Sequence, residues 1–237
     1  QLFTANAIVY PIYAIDGANI YQFTGGVWVL RQATAGTDHI RISSVNPDVA
    51  FASAFGVDSI SQFYRTTNGG ATWSAITLDP AAVGPVSVHD VYPDPIEEDV
   101  VWATAMVDSN PAPQFTYNSR IYQSLDQGST WAVSNTNAEL AISSVLRPQE
   151  ITISNDGHKI LYVENSEAIA PNRVARVHRS TNGGSSWSLV NTFSSVSGNI
   201  FGDTMLEMSV SDNNRILASV QETGGGTLTI RESTNGG

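Results

Sequence analysis

Ser180-Thr181-Asn182-Gly183-Gly184-Ser185-Ser186-Trp187 is one of three complete copies of an eight-residue box. The others are Thr66-Thr67-Asn68-Gly69-Gly70-Ala71-Thr72-Trp73 and Ser124-Leu125-Asp126-Gln127-Gly128-Ser129-Thr130-Trp131. A fourth copy opens at Ser233-Thr234-Asn235-Gly236-Gly237, and a worn one near the start keeps a Gly25-to-Trp28 spacing, with Phe23 where an acid or amide is expected. The shared form is Ser/Thr-x-Asp/Asn-x-Gly-x-Ser/Thr-Trp. Repetition at a period of some tens of residues marks architectures built from one supersecondary unit used over and over. The tryptophans fall at 28, 73, 131 and 187, a spacing that suits units of four short strands with loops of varying length.

The residue types in the box are those a tight turn requires. The side-chain oxygen of Asn68, Asp126 or Asn182 accepts hydrogen bonds from nearby backbone N–H groups, and the Ser or Thr hydroxyl holds the other side of the turn. Gly70, Gly128 and Gly184 are expected at positive φ, which only glycine adopts cheaply. Trp73, Trp131 and Trp187 are expected to bury a large ring between strands or neighbouring units. A catalytic or metal-binding role for these acids and amides is the weaker reading, because turn closure already accounts for them.

The chain repeats in phase with the box. Apolar alternation precedes each copy (Phe63-Tyr64, Ile121-Tyr122, Val177-His178, Ile230-Arg231), and upstream come paired strands broken by turn residues such as Asn46-Pro47-Asp48 and Asn155-Asp156-Gly157. Each unit reads as strand A, turn, strand B, loop, strand C, box, strand D. No stretch has a helical period. The units span roughly 1–34, 39–78, 86–136, 148–193 and 203–237 within a single domain 1–237.

The box resembles the Asp-box of BNR-repeat β-propellers, a family that includes sialidases, sortilin-type sorting receptors, xyloglucanases, photosystem assembly factors and secreted bacterial non-catalytic proteins. The resemblance covers nearly the whole chain. It implies an all-β fold, a propeller of four-stranded antiparallel blades with Asp-box turns. About five blades are expected, the last cut short: the Gly70-to-Trp73 spacing puts its tryptophan three residues past Gly237. A polypeptide that continues further is therefore expected, the alternative being a five-bladed ring closed by an N-terminal strand. In related propellers the A–B turns and boxes lie at one end of each blade. The B–C and D–A loops surround the ligand face at the other end.

Composition narrows the function classes. Hydrophobic residues make up 41% and charged residues only 14%, with one lysine (Lys159) and a net charge of −11. An acidic surface repels phosphate backbones, which argues against nucleic acid and anionic lipid. No apolar run reaches the ~20 residues of a membrane-spanning helix, so no membrane insertion is expected. Zero cysteines exclude disulfides, thiolate metal sites and cysteine nucleophiles. The four histidines (His39, His89, His158, His178) lack metal-ligand spacing. The acidic run Glu97-Glu98-Asp99, near Asp94, falls in an A–B turn and reads as solvated. No metal site, cofactor or complete catalytic set is expected.

Candidate ligand contacts lie on two long B–C loops, read as 106–118 and 164–173. The first offers Asp108, Phe115 and Tyr117; the second offers Glu164, Glu167 and Arg173. Aromatic faces beside amides and carboxylates suit sugars and peptides, while the competing reading makes both loops ordinary solvated insertions. Asp90, beside His89 in a strand A near the funnel, is the other acid of interest. The sialidase arginine motif finds only His39-Ile40-Arg41-Ile42-Ser43, without the expected aromatic and proline. The expected function is an extracellular or cell-surface binding or assembly propeller that presents loops to a protein or glycan partner without catalysis. The alternative is a glycoside hydrolase, sialidase-like or xyloglucanase-like, with part of its machinery outside this chain.

Overall fold

The computed structural model describes residues 10–16, 19–33, 39–53, 63–82, 86–108, 117–134, 146–154, 160–166, 174–194, 205–209, 212, 214–221 and 228–235. They form five antiparallel sheets, each with its strands ordered as they follow in sequence. The first holds β1 (Ile12–Ile15), β2 (Asn19–Thr24) and β3 (Val27–Ala33). The second holds β4 (His39–Ile42), β5 (Ala50–Ser53), β6 (Phe63–Thr66) and β7 (Ser74–Ala75). The third holds β8 (Val86–Pro93), β9 (Val101–Asp108), β10 (Tyr117–Ser124) and β11 (Ala132–Val133). The fourth holds β12 (Leu146–Ile153), β13 (Ile160–Ser166), β14 (Val174–Ser180) and β15 (Ser188–Ser194). The fifth holds β16 (Met205–Met208), β17 (Ile216–Gln221) and β18 (Leu228–Ser233). Strand β8 touches β4 and β5 on one side and β12 on the other, and β12 in turn touches β16. Sheets following one another in this way are the blades of a β-propeller.

Side-chain alternation along the second strand of a blade decides which neighbour each residue meets. Ala50 and Ala52 of β5 join Ile20 of the first sheet and Trp73 in one core. Phe51, between them, joins Phe63, Val88, Val91, Val101 and Ala103 in the next. Val101, Ala103 and Ala105 of β9 face back to that core, while Trp102 faces forward to Ile121, Ile151, Ile153 and Trp187. Ile216 and Ala218 of β17 face back onto Val177. Each sheet has an apolar face on both sides, so strands read as apolar runs rather than clean alternation.

The three complete boxes share one hydrogen-bond set. Oγ of Ser124 accepts from the N–H groups of Gly128 (2.7 Å) and Asp126 (3.3 Å) and donates to Asp126 Oδ1 (2.8 Å). Asp126 then accepts from Thr130, N–H to Oδ1 at 2.8 Å and hydroxyl to Oδ2 at 2.6 Å. Thr66–Asn68–Thr72 and Ser180–Asn182–Ser186 repeat it, with one reversal: the amide Nδ2 donates to the last hydroxyl, at 2.8 and 2.9 Å. The indole N–H groups of Trp131 and Trp187 donate to Gly128 O and Gly184 O, both at 3.1 Å.

Two sequence expectations change. The worn copy at the start is not a box. Counted by register, Phe23 stands where Thr66 and Ser124 stand, since it faces Ile12 as those face Ala50 and Val101. Val29 opposite Gln22 matches Ser74 opposite Arg65, so Trp28 does occupy the box tryptophan's place. The connection is two residues shorter, however, a tight turn on Gly25 and Gly26 at φ 59° and 84°. Two consecutive residues at positive φ suit a two-residue hairpin loop, and no Asx cradle forms. The second change concerns the loops. Strands β9 and β10 run to Asp108 and from Tyr117, and β13 runs to Ser166, so the loop read as 106–118 is shorter, and Asp108, Tyr117 and Glu164 stand on strands.

Candidate functional site

The A–B turns and boxes share one end of the blades. Gly69 N–H donates to Asp48 O (3.0 Å) and Gln127 N–H to Asp99 O (2.8 Å), latching each box to the A–B turn of its own blade. Glu98 Oε1 accepts from Asn46 (2.7 Å) and Gln127 (2.9 Å), joining two blades. Asp94 is buried rather than solvated, and its Oδ1 accepts from Ile96 and Glu97 N–H at 2.9 and 3.0 Å. The acidic run is thus part of a latch. Among the described residues no group of three His, Cys, Asp or Glu side chains could hold a metal, and no helix is long and apolar enough to cross a membrane.

At the opposite end, β9 and β10 finish on a direct pair, Asp108 opposite Tyr117. In the fourth sheet Glu164 faces Pro148 on one side and Arg176 on the other. The structure thus brings Asp108 and Tyr117 together at one strand end. Phe115, Glu167 and Arg173 lie outside the described residues.

Between the two ends, Asp90 sits where three blades meet. β8 carries a bulge between Val88 and Asp90, so both Val88 and Val91 enter the same core although they are three residues apart. A bulge re-aims the side chains beyond it. Asp90 is buried; its Oδ1 accepts from Val91 N–H (2.8 Å) and lies 3.7 Å from Arg41 Nε of β4, while Oδ2 accepts from Ile151 N–H of β12 (3.2 Å). Burial raises its pKa, opposed first by Arg41, then by the Ile151 and Val91 N–H groups and by His39. The Arg41 guanidinium also lies 5.8 Å from the Tyr92 ring centroid, within cation–π range. A matching bulge in β12, between Pro148 and Glu150, puts Glu150 at the register of Asp90. Chemically this is a carboxyl group that holds its proton more tightly than an exposed one and is fixed by N–H donors from two strands and an ion pair from a third. Arg41 and His39 reach Asp90 from the neighbouring sheet, 49 and 51 positions back in the sequence (90 − 41 and 90 − 39), which leaves no local motif to find.

Compared with protein families and with curated proteins, the chain matches none. Solved structures are similar in fold. An endo-arabinase from Bacteroides thetaiotaomicron VPI-5482 has 12% identity and a TM-score of 0.50, over 94% of this chain and 88% of that one. A polysaccharide lyase of family PL25, an ulvan lyase bound to a GlcA-Rha3S ligand, has 11% identity and a TM-score of 0.49, over 92% and 59%. TolB from Acinetobacter baumannii has 17% identity and a TM-score of 0.46, over 92% and 49%. At such identities the likeness concerns the fold, a β-propeller.

Proposed function

We propose that the chain is a binding or assembly propeller of the Asp-box (BNR-repeat) type, exported to the cell surface or extracellular space. The strand ends away from the boxes meet a protein or glycan. The observation that carries this reading is the contrast between the two ends. Box-end polar groups are spent on latches within and between blades, whereas Asp108 and Tyr117 pair at the far tip of two eight-residue strands. A rigid sheet ending in such residues suits sugar or peptide contact, with loops varying on a fixed frame. The box pattern, the acidic lysine-poor surface and the absence of cysteine support the family and the exported location.

The test is binding of the wild-type chain to a glycan array and to extracellular protein extracts, repeated with Tyr117→Ala and Phe115→Ala. At least one ligand class should be retained by the wild type and lose about tenfold or more affinity in the variants. Affinities unchanged in both variants remove these residues from the site.

A second reading, glycoside hydrolase, is favoured by one observation: Asp90 combines burial, a raised pKa and a matched Glu150 in the next innermost strand. Carboxylic residues at matching positions of neighbouring sheets are the residue type that acid–base glycoside chemistry uses. Against it, both Asp90 oxygens are already engaged. Hydrolysis of sialosides, other glycosides or β-glucans that disappears in Asp90→Asn, with binding retained, would replace the first reading by this one.

A further inference from the structure

The first strands of the second, third and fourth blades meet at one level. β8 touches β4 on one side and β12 on the other. His39 of β4 faces Ser53, Asp90 of β8 faces Thr104, and Glu150 of β12 faces Val163. Ser53, Thr104 and Val163 in turn face Phe63, Ile121 and Val177, each the third residue before a box hydroxyl. His39, Asp90 and Glu150 therefore hold one position in successive blades. Of the first two, His39 is exposed, whereas Asp90 is buried where β4, β8 and β12 come together.

A carboxylate taken out of water must recover its lost hydration from nearby donors. Asp90 recovers it in part, through the N–H groups of Val91 and Ile151 at 2.8 and 3.2 Å. Arg41 Nε stands 3.7 Å away on a side chain that is itself 39% exposed, so water screens that pair. The hydroxyl best placed to help does not: Thr104 faces Asp90 across the sheet, yet its buried Oγ1 makes no hydrogen bond. The balance falls on the side of burial, which holds the Asp90 carboxyl above its ordinary value against Arg41, both N–H groups and His39. The other ionisable residues at this level are His89 and Tyr92 of the same strand and, by register, Glu150 of β12; β9 presents the uncharged Thr104.

We propose that the joint of these three blades is tightened by a proton: β4, β8 and β12 close firmly on a neutral Asp90, and a charged Asp90 lets the joint open to water more readily. The direction follows from linkage. A group that binds its proton more tightly inside the closed joint than in water favours the closed joint once protonated. That gain is complete below the ordinary value of 3.8 and is lost as pH rises through the raised value of the folded state. β4, β8 and β12 all run toward the box end, so they begin at the opposite end, where Asp108 and Tyr117 pair. Local opening of their joint loosens the frame of that end, and acidity stiffens it. The device rests on neither functional reading above.

The test is amide hydrogen exchange of Val91 and Ile151, whose N–H groups both donate to Asp90. It is followed by NMR from about pH 7 to about pH 4.5 and corrected for the intrinsic exchange rate. In the wild type, protection of both amides should rise as pH falls, by no more than about tenfold per pH unit, the limit for one proton. Gly128 N–H, held by Ser124 Oγ in a box, is the reference and should show no such rise. Asp90→Asn should abolish the pH response. His39→Gln, at an exposed position that leaves the fold intact, should keep the response and move it to higher pH, because it removes a cation that opposes protonation of Asp90. That variant decides the matter if Asp90→Asn does not fold. Wild-type protection that stays flat or falls on acidification overturns the proposal, as does a rise shared equally by Gly128. A response that survives in Asp90→Asn, or disappears in His39→Gln, overturns it too, since another group then takes the proton.

Discussion

At the scale of single residues, the three boxes compare an acid with two amides in one cradle. Asp126 is held well below the usual carboxylate range, to about 2: burial works to raise it, but donors from Thr130, Ser124 and Ser129 outweigh that effect. A depressed folded pKa favours the folded state wherever the group is charged. That contribution is present above the ordinary value of 3.8 and is lost as pH falls through about 2. In Asp126→Asn, the new amide can donate to Thr130 as Asn68 does to Thr72 and Asn182 to Ser186. The variant should therefore fold with the same turn, and its melting temperature should lie somewhat below wild type at pH 7. The gap should close between pH 4 and pH 2, because only the wild type loses a charge there. Paired melts across that range check this, and a gap that stays constant removes Asp126 ionisation as its cause.

At the scale of elements, glycines of similar backbone angle do different work in the two kinds of connection. Gly128 (φ +82°) lies in a box beneath Phe51, and a Cβ there would meet Phe51 at 2.5 Å and Trp131 at 3.3 Å. Gly25 (φ +59°) lies in the short hairpin of the first sheet with nothing within 4 Å. Gly25→Ala should cost only the left-handed backbone penalty, about 1–2 kcal/mol. Gly128→Ala adds overpacking of a blade joint, typically ~1–3 kcal/mol, so about 2–5 kcal/mol in total. Urea unfolding of both variants checks this, and equal losses would mean that Phe51 yields without cost. The same contrast marks what could be read in the sequence. The boxes and third strands were legible because Asp or Asn, Gly and Trp at fixed spacing have few other uses. The missing box was not, since Gly25 and Trp28 keep a plausible spacing while strand register shows two residues gone. The Asp90 junction was half legible: the acid stood out, but Arg41 and the Ile151 N–H reach it only once three sheets lie side by side. The loop edges at Asp108 and Glu164 fall inside strands because pairing overrides weak strand formers such as Asp and Glu, whereas Tyr117 favours a strand and was hidden only by the Asn118 that follows it.

At the scale of the whole molecule, charge and apolar faces pull in opposite directions. The chain carries a net charge of −11, so two copies repel at long range, and more strongly when salt is low. Exposed apolar side chains gather on two faces of the described residues, Ile12, Phe23, Trp28 and Leu30 of the first sheet and Leu217 and Ile230 of the fifth. Burying them gains free energy in proportion to the area removed from water and does not depend on counterions. The ion pair near the second of these faces, Arg215 with Glu232, is satisfied within its own sheet. Raising ionic strength from about 0.01 M to about 0.15 M shortens the screening length from roughly 30 Å to roughly 8 Å, which removes most of the repulsion and leaves the apolar gain intact. Any self-association through these faces should therefore tighten over that range and stay tight at higher salt, read as a falling dissociation constant in sedimentation equilibrium. An association that weakens steadily with salt would mean that opposite charges hold the copies together. In that case the contact is not made through these apolar side chains.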